Sequence, residues 1–346
     1  MRESSIYFTS DSRRVDTSEW EQYVLAHPQG NFFQSPVAYR VFNQTRGYTP
    51  NVLFALNKKD NKLCGILLSV VQQESGWYSA LTSRSIVWGG PLADSGEIAA
   101  ELLREYDRTL SQGVIYTQIR NLFEQSTLIE SAAVFGYSFS PHLNILVATT
   151  GKTEKDLLTE MSKSKARQIR KGLENCTIEI CNSTSDLNDL YSILKNLYRI
   201  KAKKPLPDIS FFQSFYNETA GGEYGSVFII RHKDRIIGGM VAPKLPGKKI
   251  YEWYVAGDDT HYKECYPSVL ATWAAIRQAN TEGMRHFDFL GAGKPDADYG
   301  VREFKARFGG TEVNYGRFEK IHRPILMKIG TFGLKALSQL KTIKAS

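Results

Sequence analysis

Apolar and polar positions set out two similar stretches far apart in the chain. Residues 54–68 read FALNKKDNKLCGILL and residues 228–242 read FIIRHKDRIIGGMVA. Each is an apolar run, a Lys-Asp turn and a second apolar run containing glycine, the pattern of a β-hairpin. At a constant offset of 174, Phe54 falls on Phe228, Lys59 on Lys233, Asp60 on Asp234 and Gly65 on Gly239. The same offset aligns the aromatic stretch around Trp77 with that around Tyr251. Helical periodicity follows near 97–112 and 267–282, then a short strand in each half, VIYTQI and MRHFDF. Phe135-Gly136 corresponds to Phe308-Gly309, and each pair precedes a last strand, 143–148 and 313–318. Five elements in one order predict two copies of an α/β unit.

Between the copies, 153–174 reads as one helix with Leu157, Leu158, Met161, Ile169 and Leu173 as core positions. Cys176–Cys181 reads as a strand, with its two cysteines on opposite faces. Helices are expected over 184–202 and 209–219, the first ended by Pro205 and Pro207. No heptad pattern is sustained, so no coiled-coil arm is expected. The boundaries follow: 1–150, 151–320 and a tail, 321–346. In the tail Ile325, Ile329, Phe332, Ala336, Leu340 and Ile343 step by three or four, flanked by lysines. A basic amphipathic helix over 324–344 could lie on an anionic membrane; packing on its own domain is the alternative.

Composition narrows the class. The chain has 346 residues, 42% apolar and 23% charged, as expected of a globular protein of two domains of ~150–170 residues. The longest uncharged apolar stretch, 63–73, is far short of the ~20 residues of a membrane span. The N-terminus lacks the apolar core of a secretory signal. The four cysteines, Cys64, Cys176, Cys181 and Cys265, are scattered, with no CxxC pair and no histidine cluster. A cytoplasmic monomer without a metal is expected. The net charge of +8 is uneven: residues 161–204 hold ten basic and four acidic side chains, and 320–346 six basic and no acidic ones. Two basic patches point to anionic partners.

The run FDFLGAGKPDADYGVREFKARFGGTEVNYGRF, 287–318, resembles the Fem family of peptidoglycan-bridge aminoacyl transferases. The resemblance lies in Asp288, Phe289 and Gly291, then Asp298 and Gly300, then Phe304, Lys305, Phe308 and Gly309. MSKSKARQIRKGLE (161–174) resembles the family's basic helix and NFFQS (31–35) its N-terminal signature. The resemblance implies two GNAT-like acyltransferase domains in tandem, α/β with mixed sheets flanked by helices. The first would cradle the acceptor and the second the donor. It implies aminoacyl transfer from aminoacyl-tRNA to an amine of a nucleotide- or lipid-linked cell-wall precursor. The alternative is acyl-coenzyme A-dependent N-acylation in envelope polysaccharide synthesis. No other cofactor is expected.

The resemblance makes Lys305 the cation that stabilises the tetrahedral oxyanion, with Phe304 beside it at the substrate. Asp288, on a buried strand, could orient the amine or a tyrosine, or form a structural hydrogen bond; an isolated buried carboxylate is too costly to lack a partner. Lys163, Arg167, Arg170 and Lys171 share one helix face with no acid from 161 to 173, which suits phosphate. YRIKAKKPLP resembles the family's acceptor-phosphate loop and makes Tyr198, Arg199 and Lys204 candidates. Arg40, after NFFQS, is a first-domain candidate. Tyr254 could line the donor channel or pack in the core. A coenzyme A pyrophosphate would need a glycine-rich loop before a helix. The corresponding GDDTHYKECYPS (257–268) has one glycine and three acids.

Overall fold

The computed structural model describes residues 5–74, 81–110, 112–202, 205–297 and 300–329. The first half runs β1 (Ile6–Thr9), α1 (Thr17–Ala26), α2 (Pro36–Asn43), β2 (Tyr48–Asn57), β3 (Leu63–Gln72), β4 (Arg84–Trp88), β5 (Leu92–Ala93), α3 (Gly96–Thr109), β6 (Tyr116–Arg120), α4 (Ser126–Val134), β7 (Ser138–Ser140) and β8 (Leu143–Ala148). Then come α5 (Glu154–Glu160), α6 (Lys163–Asn175), β9 (Thr177–Ile180), α7 (Thr184–Leu197) and α8 (Ile209–Glu218). The second half continues with β10 (Gly225–His232), β11 (Arg235–Leu245), β12 (Lys249–Tyr251), β13 (Tyr254–Gly257), α9 (Pro267–Thr281), β14 (His286–Asp288), α10 (Gly300–Ala306), β15 (Thr311–Asn314) and β16 (Arg317–Ile321).

Both expected hairpins form: β2 pairs antiparallel with β3 and β10 with β11, each with one bulge. The sheet orders are β1-β2-β3-β4-β6-β16-β7, with β5 on β3, and β15-β8-β14-β12-β11-β10-β9, with β13 on β11. Each sheet contains one parallel pair, β4 with β6 and β12 with β14. The two halves exchange strands. β8, from the first half, lies between β14 and β15 of the second sheet, and β16 closes the first sheet between β6 and β7. The division at residue 150 is thus crossed in both directions.

Several elements differ from the sequence pattern. The single last strand expected over 313–318 is two strands in different sheets, because Gly316, at φ +66°, turns the chain between them. The helix expected over 153–174 breaks at Met161, where Ser162 caps α6 by accepting from Lys165 N–H. Leu173 lies on the outer face and is 38% exposed, not core. The helix expected over 184–202 is α-helical only to Leu197 and continues as one wider turn, Tyr198–Ala202. The stretch around Trp77 lies outside the described residues. Among those described the longest helix, α9, has 15 residues.

The largest core joins the halves: Phe32, Phe33 and Phe42 pack with Phe211, Phe215 and Tyr251. The other two cores lie around α9 and α3. Cys176 and Cys181 fall in different cores, as opposite strand faces require. NFFQS is part of this packing. Asn31 caps a short turn by accepting from Phe33 N–H and donates to Gly89 O, while Gln34 bonds both Leu68 and Trp88.

Candidate active site

The second sheet opens where β12 and β14 separate. They are in parallel register up to Tyr251 and Asp288, and Glu252 N–H still reaches Asp288 O at 2.9 Å. Beyond that point β13 follows β11, whereas Phe289 N–H turns to Ile145 O of β8 at 3.1 Å. The turn Phe289-Leu290-Gly291 forms one lip of the opening. Its backbone is strained, with Leu290 at φ +54° and Gly291 at φ +127°.

Two expected site residues hold that turn from opposite sides. Lys305 Nζ donates to Phe289 O at 2.8 Å and Gly291 O at 3.0 Å, and pairs with Glu252 Oε1 at 3.0 Å. An ammonium has three N–H donors, and all three are used. Glu252 Oε2 accepts from Thr272 Oγ1 of α9 at 3.2 Å. Lys305 and Glu252 are 11% and 4% exposed, so Lys305 is an inward-facing cation rather than a surface lysine. Asp288, fully buried, accepts from Leu290 N–H at 2.8 Å and Asn144 Nδ2 at 2.7 Å, and pairs with Lys249 Nζ at 3.1 Å. Asn144 Oδ1 in turn accepts from Gly291 N–H at 2.8 Å. This geometry is that of the structural hydrogen bonds allowed for Asp288.

The far side of the turn faces a crevice between the halves, lined by Trp88, Arg120, His142, Asn144, Leu290 and Gly291. Trp88 and Arg120 are the last residues of the parallel strands of the first sheet, and the guanidinium lies 4.3 Å from the indole centroid. Burial lowers the pKa of Arg120. Tyr254 packs on Phe212 at 5.3 Å, Phe211 at 5.4 Å and Tyr198 at 6.2 Å. Burial, and then the neighbouring Tyr48 and Tyr198, push its phenol well above the usual value.

The remaining expected residues lie elsewhere. Arg40 pairs with Glu218 at 2.6 Å beside a surface cavity of about 280 Å³ that also holds Glu21 and Glu223. Lys163, Arg167 and Arg170 are exposed on α6 as the periodicity requires, and Lys171 pairs with Glu264. Arg199 is exposed and bonds Asn196 Oδ1 at 3.0 Å. Lys204 lies outside the described residues, as does Asp298.

Lys165 was not singled out by charge patterning, yet it is only 4% exposed. Its Nζ lies 3.7 Å from the Phe304 ring centroid and 4.9 Å from that of Phe308. Burial, helped by nearby Arg307, lowers its pKa to about 8. Its sequence signal is its face: it shares the inner side of α6 with Ala166 and Ile169. Glu252 has a sequence signal of its own, an acid within the aromatic run YEWY. Spacing gave no metal signature, but the fold brings Cys176, His232 and Cys265 together. The N-terminus of α9 is occupied by a side chain: Asp259 accepts from Ser268 N–H at 3.4 Å and from the Ser268 hydroxyl.

Residues 160–305 match the family model described as an acetyltransferase (GNAT) domain. FemX is similar in structure, with a TM-score of 0.68 at 13% identity over 91% of this chain and 98% of that one. The chain has a Fem-like tandem GNAT fold. The C-terminal domain of a putative lysylphosphatidylglycerol synthetase from Agrobacterium fabrum has a TM-score of 0.57 at 11% identity, covering 93% of this chain and 95% of its own. A tandem GNAT protein from the clavulanic acid biosynthesis pathway has a TM-score of 0.53 at 8% identity, over 91% and 98%. No curated protein sequence matches the chain. In this Fem-like fold the separating strands β12 and β14 belong to the matched domain, and Lys305 is its last matched residue. No helix among the described residues is long and apolar enough to cross a membrane.

Proposed function

We propose that the protein is an amide-forming aminoacyltransferase that moves an amino acid from aminoacyl-tRNA to an amine of a nucleotide- or lipid-linked envelope precursor. The observation that carries this reading is the occupied N-terminus of α9. In acyl-coenzyme A chemistry that terminus would receive a pyrophosphate, and here the Asp259 carboxylate takes the half-buried Ser268 N–H. The exposed cations of α6 agree with a donor of many phosphates. The amine attacks the ester carbonyl, a C–N bond forms, the ester C–O bond breaks and the ribose hydroxyl leaves with a proton. Lys305 bears on the developing oxyanion by exchanging a loop carbonyl for it while Glu252 keeps it in place. Asp288 and Asn144 position the lip.

The acetyltransferase (GNAT) match of residues 160–305 favours a second reading, N-acylation from acyl-coenzyme A. Incubation of the full chain with a mixture of charged tRNAs and envelope precursors, read by mass spectrometry, tests the first. A precursor heavier by one aminoacyl residue is expected. No such product, together with micromolar binding of acetyl-coenzyme A, would overturn it in favour of the second. Membrane contact through 324–344 is part of the same proposal. Ile325 and Ile329 are 74% and 50% exposed on its described turn, and 330–346 lies outside the described residues. Flotation with anionic vesicles should fall in a chain ending at residue 323; equal flotation removes the idea.

A further inference from the structure

Three soft or nitrogenous ligand atoms converge beneath the loop that joins β13 to α9. Cys176 closes α6, its N–H bonded to Gly172 O at 2.9 Å. His232 ends β10, and Cys265 lies in the loop, its N–H on Tyr262 O at 3.0 Å. The thiols are free and buried, at 7% and 5% exposure. Their sulfurs and a ring nitrogen of His232 all lie within 4.8 Å of one another. Cys265 Sγ is 3.6 Å from His232 Nδ1. Zinc–sulfur bonds of ~2.3 Å and zinc–nitrogen bonds of ~2.0–2.1 Å at a tetrahedral angle give a sulfur-to-nitrogen edge of about 3.6 Å. The edge between Cys265 and His232 already has that spacing, and the edges to Cys176 lie within 4.8 Å.

The surroundings favour a built site. Gly172 lies so close to the loop that a Cβ there would stand 2.7 Å from Cys265 O, so α6 and the loop are pressed together at the cluster. Asn175 O also lies 2.9 Å from His232 Nδ1, the nitrogen nearest Cys265 Sγ, so zinc binding there displaces the Nδ1 proton that this carbonyl accepts. Two sulfurs and one imidazole suit zinc and reject magnesium or calcium.

We infer that Cys176, His232 and Cys265 form a zinc site that ties the C-terminal end of α6 to the loop before α9. Three protein ligands leave the fourth position to water. The site joins two elements and, with three protein ligands, keeps an open coordination position. It fastens the loop carrying Asp259 to the helix carrying Lys165. Nothing in the proposed acyl transfer requires it, and its test stands apart from activity.

The full chain, reduced and stripped of metal, is titrated with zinc by calorimetry and separately with cobalt(II) followed by absorption. One equivalent of zinc should bind with submicromolar affinity, and cobalt should give a thiolate-to-metal charge-transfer band with tetrahedral ligand-field bands. Zinc should also raise the thermal midpoint. Cys176→Ser, Cys265→Ser and His232→Asn should each weaken binding at least a hundredfold, with circular dichroism checking that each variant is folded. The wild-type cobalt spectrum decides the matter even where a variant does not fold. Absence of the charge-transfer band, or undiminished zinc binding by folded Cys176→Ser or Cys265→Ser, would overturn the inference. So would a Cys176–Cys265 disulfide in the isolated protein that, once reduced, leaves thiols without zinc affinity.

Discussion

Lys305 and Glu252 are each other's counter-charge in a place with little water. Replacing one member of such a pair leaves the other buried and unpaired, at a cost of about 3–5 kcal/mol. Lys305→Ala is therefore expected to lower the thermal midpoint as well as turnover, the latter by about a hundredfold or more. Adding Glu252→Gln should restore much of the stability and none of the turnover. Recovery of turnover in the double variant would make the lysine purely structural. Lys165 differs because its cation rests on aromatic rings. Its folded pKa of about 8 lies below the ordinary 10.5, so between these values the unfolded chain holds a proton that the folded chain lacks. This group's contribution to stability then rises with pH through that window and is flat on either side. Lys165→Met should be more stable than wild type at pH 7, with the gap closing as pH approaches 10; urea unfolding at stepped pH measures it. The motif made Lys305 and Asp288 visible in the sequence. Glu252, Asn144 and Lys249 were not, because each meets them from a distant part of the chain.

At the scale of elements, α6 has two chemically different faces. Its outer side carries Lys163, Arg167 and Arg170, and its inner side buries Lys165, Ala166 and Ile169. Contacts to phosphate release counterions, so affinity for tRNA should fall steeply with salt. Changing Lys163, Arg167 and Arg170 together to serine should weaken tRNA binding and reduce the logarithmic salt slope by about two to three, measured by filter binding at several salt concentrations. An unchanged slope would place the tRNA elsewhere. Periodicity identified this face correctly because 3.6 residues per turn is a local property. It missed the break at Met161, because Ser162, with one hydroxyl, caps a helix in the middle of a sequence with good helical propensity throughout.

The whole molecule is fastened by exchange. β8 is an interior strand of the second sheet and β16 an interior strand of the first, so each half contributes a strand to the other's hydrogen-bonded ladder. The shared core of Phe32, Phe33, Phe211, Phe215 and Tyr251 adds an apolar joint. A fragment of residues 151–320 alone would leave the edges of β14 and β15 unpaired, and open edges invite aggregation. Such a fragment is expected to be insoluble or partly folded, whereas the full chain should melt in a single transition by calorimetry. Two separate transitions would show that the exchange does not couple the halves.

The sequence by itself determined the repeat, both hairpins, the helix faces and the identity of the signature residues. Each of these follows from local periodicity, turn chemistry or a motif of contiguous residues. Tertiary structure alone decided which sheet receives β8 and β16. It also decided that Lys305 meets Glu252, that Asp288 meets Asn144 and Lys249, and that Cys176, His232 and Cys265 converge. Those outcomes depend on strand order and on pairings across gaps from 33 residues, between His232 and Cys265, to 205, between Tyr116 and Ile321. A linear pattern of apolar and polar positions carries no term for them.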